Sequence, residues 1–313
     1  MGGVMAAVEV INSGYYTTIQ DAGRVGYRKF GVPVNGAMDS YAQKLANWLV
    51  SKPSGAPVLE MTLEGGSYKF KDSAIVGIAG GRASMKINGI NCKRYKTLKV
   101  NSGDTINIGK VTSGFRVYMA IMGEWNLEKV MGSYSTNVQA KFGGVKGRAL
   151  QKGDIIEWEN SQENWELREI RNEIRPYFST NNHIRIIKGP EWDWLKNSEK
   201  EFFQNTTFSV SSESNRMGIR LSNKNKPDGL AGSINREMKS APVLTGIIQL
   251  PQNGQPIILM NDAQSVGGYP RIAKVVDADL WRLGQLNPAS QISFKMISRK
   301  KAINLSDFQK KLL

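Results

Sequence analysis

The sequence predicts a mainly β protein made of two β-rich domains with few, short helices. Three observations carry that expectation. Short apolar runs separated by turn residues recur along nearly all 313 residues, the pattern of a barrel or a sandwich. Helical periodicity is confined to a handful of stretches. A polar, unpatterned segment from Ser161 to Asn182 divides two halves that both read as strands. The domains are taken as residues 1–165 and 180–313, with the linker at about 161–182.

In the first half, Ala7–Ile11, Ala74–Ile78, Ser84–Ile87, Thr105–Ile108, Arg116–Ile121 and Asp154–Trp158 read as strands. Asn88-Gly89 is a hairpin turn, because both of its central positions require positive φ. Asp39 or Ser40 caps a helix in which Tyr41, Leu45, Trp48 and Leu49 share one face. In the second half, Ile184–Ile187, Thr207–Val210 and Gln291–Ile297 read as strands, and Gly246–Leu250 and Pro256–Met260 flank the turn Pro251-Gln252-Asn253-Gly254. Glu191–Phe203 carries a broken helical pattern and Asp277–Leu286 a short one. Ser306 and Gln309 read as a capping box before Leu312.

Composition narrows the function classes. A hydrophobic fraction of 40% with 22% charged residues supports an ordinary packed core. Cys92 and His183 are the only residues of their kinds, which excludes a disulfide framework, a multi-cysteine zinc site and a paired-histidine centre. No metal site is expected. The N-terminal residues show no basic region followed by a long apolar run, and no segment is apolar enough to span a bilayer. A cytoplasmic protein without membrane partners is expected. Lys and Arg number 42 against 27 Asp and Glu, a net charge of +15. The charge is spread, and only Tyr95 and Phe308 interleave with the basic clusters, too few for stacking nucleic-acid bases; no nucleic-acid partner is expected. The basic groups read as a solvated surface, with attraction of an anionic substrate, a nucleotide or an acidic partner left open. No Gly-x-Gly, GxxxxGK[ST] or G-x-S-x-G string occurs, so dinucleotide, phosphate-loop and nucleophile-elbow readings fail.

Three strings stand out as site candidates. After the 246–260 hairpin, one loop gathers Asn261, Asp262, Gln264, Gly267, Gly268, Tyr269 and Arg271, and loops held on a rigid sheet are where binding groups concentrate. Gln249 and Gln255 stand on the hairpin itself. The segment Thr17–Asp39 is dense in glycine and holds Gln20, Asp21, Arg24 and Arg28. Its arginines could clamp a carboxylate or phosphate, or could pair with Gln20 and Asp21 as scaffold. In Ser214–Leu221, Asn215 precedes Arg216 and Arg220, which a strand pattern would place on one face. The string Gly143–Leu150 reads as turn chemistry.

Taken together, TTIQDAGRxGYRxxGVPxxGAMD, GGxxGRxLxxGD, SNRMGxRL and GxIQLPxxGQPIxLMxDxQxxGGYPxIAxVxxADL, in that order, resemble the carboxyltransferase-like, allophanate-hydrolase-subunit-2 (KipA-like) family. The resemblance implies cyclophilin-like β-barrel domains. It implies one component of an enzyme, inactive alone: the C subunit of an ATP-dependent 5-oxoprolinase. That enzyme activates the lactam of 5-oxo-L-proline for hydrolysis to L-glutamate, with a KipI-like B component and a LamB/YcsF-like A component. The alternatives are the carboxyltransferase component of a biotin-dependent urea carboxylase-like system and a regulatory partner of a KipI-like kinase inhibitor. ATP is expected as cofactor, on this chain or at an interface with a partner; biotin is not expected on this chain. The sequence departs from the family pattern at Gly123-Glu124, Tyr134, Ser265 and Val266.

These activities share an N–C=O unit. A site for it wants carboxamides matching its donor and acceptor edges, with guanidinium or backbone N–H groups for the developing charge. On this reading Asp262 handles a proton, with Arg271 and Arg216 as further catalytic groups. Gln20, Asp21, Arg24, Asn215, Gln249, Gln255, Gln264, Gly267, Gly268 and Tyr269 bind substrate. All are expected to converge on one cleft.

Overall fold

Alternating burial sets the first sheet. In β1 (Met5–Asn12), Ala6, Val8 and Val10 are buried while their neighbours are not, as the two-residue period of a strand requires. The computed structural model describes residues 5–159, 165–223, 229–234, 236, 238–288 and 290–311. The chain divides into two units, Met1–Arg24 with Asn35–Phe178, and Val25–Val34 with Ser179–Leu313. The short segment 25–34 thus belongs with the C-terminal half, which a division at a single linker does not anticipate.

The first unit is a 10-stranded sheet. Its strands are β1, β2 (Tyr16–Gln20), β3 (Val58–Thr62), β4 (Glu64–Phe70), β5 (Ala74–Ile87), β6 (Ile90–Asn91), β7 (Thr97–Val100), β8 (Thr105–Ile121), β9 (Glu124–Trp125) and β10 (Ile155–Glu159). The path runs β2-β3-β8-β4-β1-β10-β9, and β5 branches off to pair with β6, β7 and β8. Tyr68, Phe70, Ile106, Ile108 and Trp158 fill the core over β1. The runs 74–78 and 84–87 are one strand, as are 105–108 and 116–121. Register shifts at Gly80/Arg82, Arg82/Ala83 and Ala83/Met85 interrupt the alternation without ending the pairing. Gly80 has φ +102, and a Cβ there would lie 2.6 Å from the Arg116 carbonyl oxygen. At the β5–β6 turn Asn88 and Gly89 have φ of 49 and 83, as expected.

Helix α1 (Ser40–Leu49) is capped by Asp39, whose carboxylate accepts from the Ala42 N–H at 2.8 Å. Its buried arc centres on Ala42, Leu45, Ala46 and Leu49. Trp48 falls past the edge of that arc, contrary to the one-face reading. It is 41% exposed, with the Arg168 guanidinium 5.1 Å over its ring.

The second unit is a closed barrel. Its strands are β11 (Asn181–Lys188), β12 (Phe208–Val210), β13 (Gly218–Ser222), β15 (Ile247–Gln249), β16 (Ile257–Leu259), β18 (Arg271–Val275) and β19 (Gln291–Met296). The order is β11-β18-β15-β16-β13-β12-β19, closing through the parallel β11–β19 pair. A separate ribbon joins β14 (Ala241–Pro242) to β17 (Val266–Gly267). The 246–260 hairpin forms as expected, with Gln249 opposite Ile257. Helix α2 (Asn197–Asn205) packs Phe203 flat on Phe294, ring centroids 4.9 Å apart. Helix α3 is Leu280–Leu283 and α4 is Arg299–Lys311. The capping box read at Ser306 and Gln309 is not there. Ser298 stands at the start of α4, its carbonyl accepting from Ala302 and its Oγ from Lys301. Ser306 lies inside the helix and donates back to the Ala302 carbonyl at 3.1 Å. Among the described residues no helix is long and apolar enough to cross a membrane.

The mainly β class is therefore correct, with one closed barrel and one open, branched sheet. Gly80→Ala is expected to cost roughly 1–3 kcal/mol from backbone strain, plus the clash with Arg116. Gly103→Ala, at φ +88 with nothing within 4 Å, carries the strain alone. Urea midpoints of the two variants should separate in that order; equal midpoints would remove the close-approach argument.

Candidate functional site

In the second unit, three loops meet through a guanidinium. Arg28 Nη2 donates to the carbonyls of Val243 at 2.5 Å and Gln264 at 2.8 Å. Its Nη1 is buried and has no hydrogen-bond partner among the described residues, and desolvation lowers the pKa of this arginine. A cationic donor buried without an acceptor is costly, so this N–H is an available group for a ligand oxygen. Beside it Gln249, 1% exposed, donates from Nε2 to the Tyr269 carbonyl at 3.3 Å. A Cβ on Gly267 would come within 2.7 Å of Gln249 Nε2 and 3.5 Å of Gln264 Nε2. A side chain at 267 would therefore push the buried Gln249 carboxamide aside, while Gln264 would stay in ordinary contact.

Next to this cluster opens a cleft of about 490 Å³, lined by Ile234, Arg236, Met238, Leu250, Pro251, Gln252, Asn253, Gly268, Tyr269 and Pro270. Its size and mixed lining are those of a small-molecule site. Gly268 and Tyr269 are the expected substrate-binding residues that line it. Gln255 is exposed on the hairpin turn, where its N–H bonds to Asn253 Oδ1.

The other expected groups of this unit are engaged within the protein. Arg216 donates from Nε and Nη2 to the two carboxylate oxygens of Asp262, at 2.8 and 3.0 Å. A proton acceptor at Asp262 would first have to release one of these bonds. Arg271 grips Glu191 through Nε, Nη2 and its own backbone N–H, at 2.8 to 2.9 Å. Asn215 Oδ1 accepts from the Met217 and Gly218 N–H groups, a local turn. That turn lies outside β13, so the strand alternation does not reach Arg216; it is buried whereas Arg220 is exposed. The two do not share a face.

Gln20, Asp21 and Arg24 belong to the first unit. Asp21 accepts from Ser133 Oγ, Ser135 Oγ and the N–H groups of Gly23 and Tyr134, at 2.5 to 2.8 Å. Arg24, fully buried, donates to the carbonyls of Val130 and Ser135 and to Asn35 Oδ1, and covers the Phe142 ring at 4.5 Å. Gln20 donates to Thr18 Oγ1 and the Thr136 carbonyl, and its buried Oε1 has no partner among the described residues. The bonds from Arg24 brace loops of the first unit through Val130, Ser135 and Asn35, partners other than the Gln20 and Asp21 that the scaffold alternative named. Gln20, Asp21 and Arg24 thus bond within the first unit, and the Arg216–Asp262 and Arg271–Glu191 pairs form within the second.

Residues 30–296 match the family model of the carboxyltransferase domain, subdomain A and B. The chain belongs to that family. It is 33% identical over 305 residues to the 5-oxoprolinase C subunit of Escherichia coli K12, covering 97% of this chain and 96% of the relative. It is 33% identical over 317 residues to the urea amidolyase of Saccharomyces cerevisiae, covering 97% of this chain but 17% of that longer protein. Among solved structures, the K. lactis urea amidolyase superposes with a TM-score of 0.90 at 32% identity, over 97% of this chain and 19% of that one.

Sequence reasoning missed a buried network in this carboxyltransferase-family chain. Glu60 Oε2 accepts from the Met38 N–H at 2.7 Å and from the Tyr118 hydroxyl at 2.9 Å, and that hydroxyl accepts from the Asp39 N–H. Burial, then the charges of Glu60 and Asp39, drive the Tyr118 phenol pKa far up. The signal was an acidic residue within the apolar run Val58–Thr62. Arg236 was missed for a different reason: it stands in none of the family strings.

Burial pushes the Glu191 carboxyl up, but the bonds from Arg271 outweigh it and hold the pKa below the ordinary glutamate value. The pair's contribution is therefore present above about pH 4.3, the unfolded value, and lost as pH falls through the lower folded one. With side chains 9% and 18% exposed, Glu191→Gln is expected to cost roughly 3 kcal/mol at pH 7. The gap between variant and parent should close in acid when thermal midpoints are followed from pH 7 to 3. Gly267→Ala is expected to displace the Gln249 carboxamide while keeping the fold, so ligand affinity should fall about tenfold with the circular dichroism spectrum unchanged.

Proposed function

We propose that this chain is the C subunit of an ATP-dependent 5-oxoprolinase of the cytoplasm, acting with a KipI-like B component and a LamB/YcsF-like A component. The observation that carries the reading is coverage: the chain matches nearly the whole length of the E. coli 5-oxoprolinase C subunit. The site chemistry supports it. Gln249 and Gln264 offer carboxamide edges suited to the N–H and C=O of a lactam. The Arg28 Nη1 hydrogen can meet negative charge growing on the lactam oxygen as the ring carbon is activated. Transfer of the terminal phosphoryl group of ATP to this oxygen releases ADP and activates the ring carbon; one water adds there and the C–N bond breaks, the nitrogen taking up protons to leave an acyl phosphate. A second water hydrolyses that to L-glutamate and inorganic phosphate. The chain's own part is to hold and polarise the lactam, with ATP bound here or where a partner protein meets it.

A second reading, carboxyltransferase of a biotin-dependent urea carboxylase-like system, is favoured by the TM-score of 0.90 with the K. lactis urea amidolyase. It requires a partner that carries biotin, since none is expected on this chain. The purified chain, mixed with the two partner proteins, 5-oxo-L-proline and ATP, should release glutamate and ADP, and neither should form when any one protein is omitted. Three folded proteins that together yield no glutamate would defeat the oxoprolinase reading. Capture of a streptavidin-reactive partner would then favour the second.

A further inference from the structure

The cleft beside Gly268 and Tyr269 is chemically one-sided. Gln252 and Asn253 bring carboxamides to its wall, and Ile234, Met238, Leu250, Pro251 and Pro270 bring apolar surface. Among the described lining residues Arg236 is the one cation, and none of them is a carboxylate. The Arg236 guanidinium lies 5.6 Å over the Trp194 ring. A guanidinium held over an aromatic face by its charge keeps N–H groups available for an oxyanion. Among the described residues Arg236 has no ion pair. Arg216 is committed to Asp262 and Arg271 to Glu191, and Arg28, whose Nη2 is held by two loop carbonyls, is not among the residues that line the cleft.

We propose that Arg236 binds the carboxylate of the substrate, making the cleft selective for small acids with an amide or lactam body. The inference rests on reading this cleft as the substrate site, and it goes further, naming a specificity residue outside the family strings. A guanidinium presents its N–H fork to a carboxylate through two parallel bonds. A neutral urea gains nothing comparable from it. The apolar wall suits a ring's methylenes and the carboxamides its N–C=O edge. Arg236 is therefore a binding and selectivity group, with no part in moving protons.

The test is binding of 5-oxo-L-proline and of 2-pyrrolidinone, the same ring without the carboxylate, to the full-length chain and its Arg236→Gln and Arg236→Lys variants. The parent chain is expected to favour the acid by about tenfold or more, the worth of one charge-assisted pair. Arg236→Gln should abolish that preference while leaving 2-pyrrolidinone binding unchanged, and Arg236→Lys should restore part of it. Arg236 is exposed, so both variants should keep the parent melting temperature. In the three-protein assay Arg236→Gln should raise KM for 5-oxo-L-proline with kcat retained. Equal binding of acid and neutral ring by the parent, or an Arg236→Gln variant with unaltered affinity and KM, overturns the proposal. Absence of binding to the chain together with an unaltered KM overturns it equally. Glutamate formation with an unaltered KM would sink Arg236 and spare the oxoprolinase reading; acid selectivity lost in Arg236→Gln without glutamate formation would do the reverse.

Discussion

The pairing of Arg271 with Glu191 is the interaction on which the second unit's site depends. One carboxylate accepts from the guanidinium and the backbone N–H of Arg271, and the same guanidinium reaches the Pro242 carbonyl at 3.0 Å. It thereby joins the start of β18, the turn before α2 and the β14 ribbon. Gly189 completes the junction, since a Cβ there would lie 2.0 Å from the Arg271 carbonyl oxygen. The loop immediately before Arg271 carries Gly268, Tyr269 and Pro270, which form one wall of the cleft. The pair is mostly buried, and a buried ion pair broken at one end leaves a charge uncompensated. Positioning of the loop and stability of the barrel therefore rest on the same two residues.

A general pattern follows for charged groups in this chain. Arg24, Arg148, Arg185, Arg216 and Arg271 bond to carboxylates, carbonyls or a carboxamide of neighbouring loops. They brace irregular backbone, which must have its polar groups satisfied when buried. Among the described residues of the second unit the groups left for a ligand are fewer: the Gln249 and Gln264 carboxamides, Arg28 Nη1 and Arg236. Such a division suits a protein that orients a substrate for chemistry completed together with other proteins. Precise placement of a few groups needs a rigid surround.

Strands with clean alternation, the Asn88-Gly89 turn, the Asp39 cap and the 246–260 hairpin were legible because each follows from local chemistry. The long β5 and β8 strands were not. Glycines at 80 and 81 break the apolar pattern, while the pairing that spans them is non-local. Trp48 was misplaced because periodicity gives the direction of a helix face without its width. Arg24 and Arg28 are equivalent in sequence, one helical turn apart in a glycine-rich string, yet they serve different units. Only tertiary contacts could separate them. The Gln249–Gly267 approach was half visible: glycines among carboxamides marked the loop, but the close approach itself is a contact between residues distant in sequence. Arg236 had no local signature, since its meaning comes from the cleft it lines.

The most direct measurement is a crystal structure of this chain soaked with 5-oxo-L-proline. The account places the ring beside Gly268 and Tyr269, its lactam edge toward the carboxamides and its carboxylate on Arg236. Density for the ligand at the buried Asp21–Arg24 cluster of the first unit, with the 268–270 cleft empty, would contradict it.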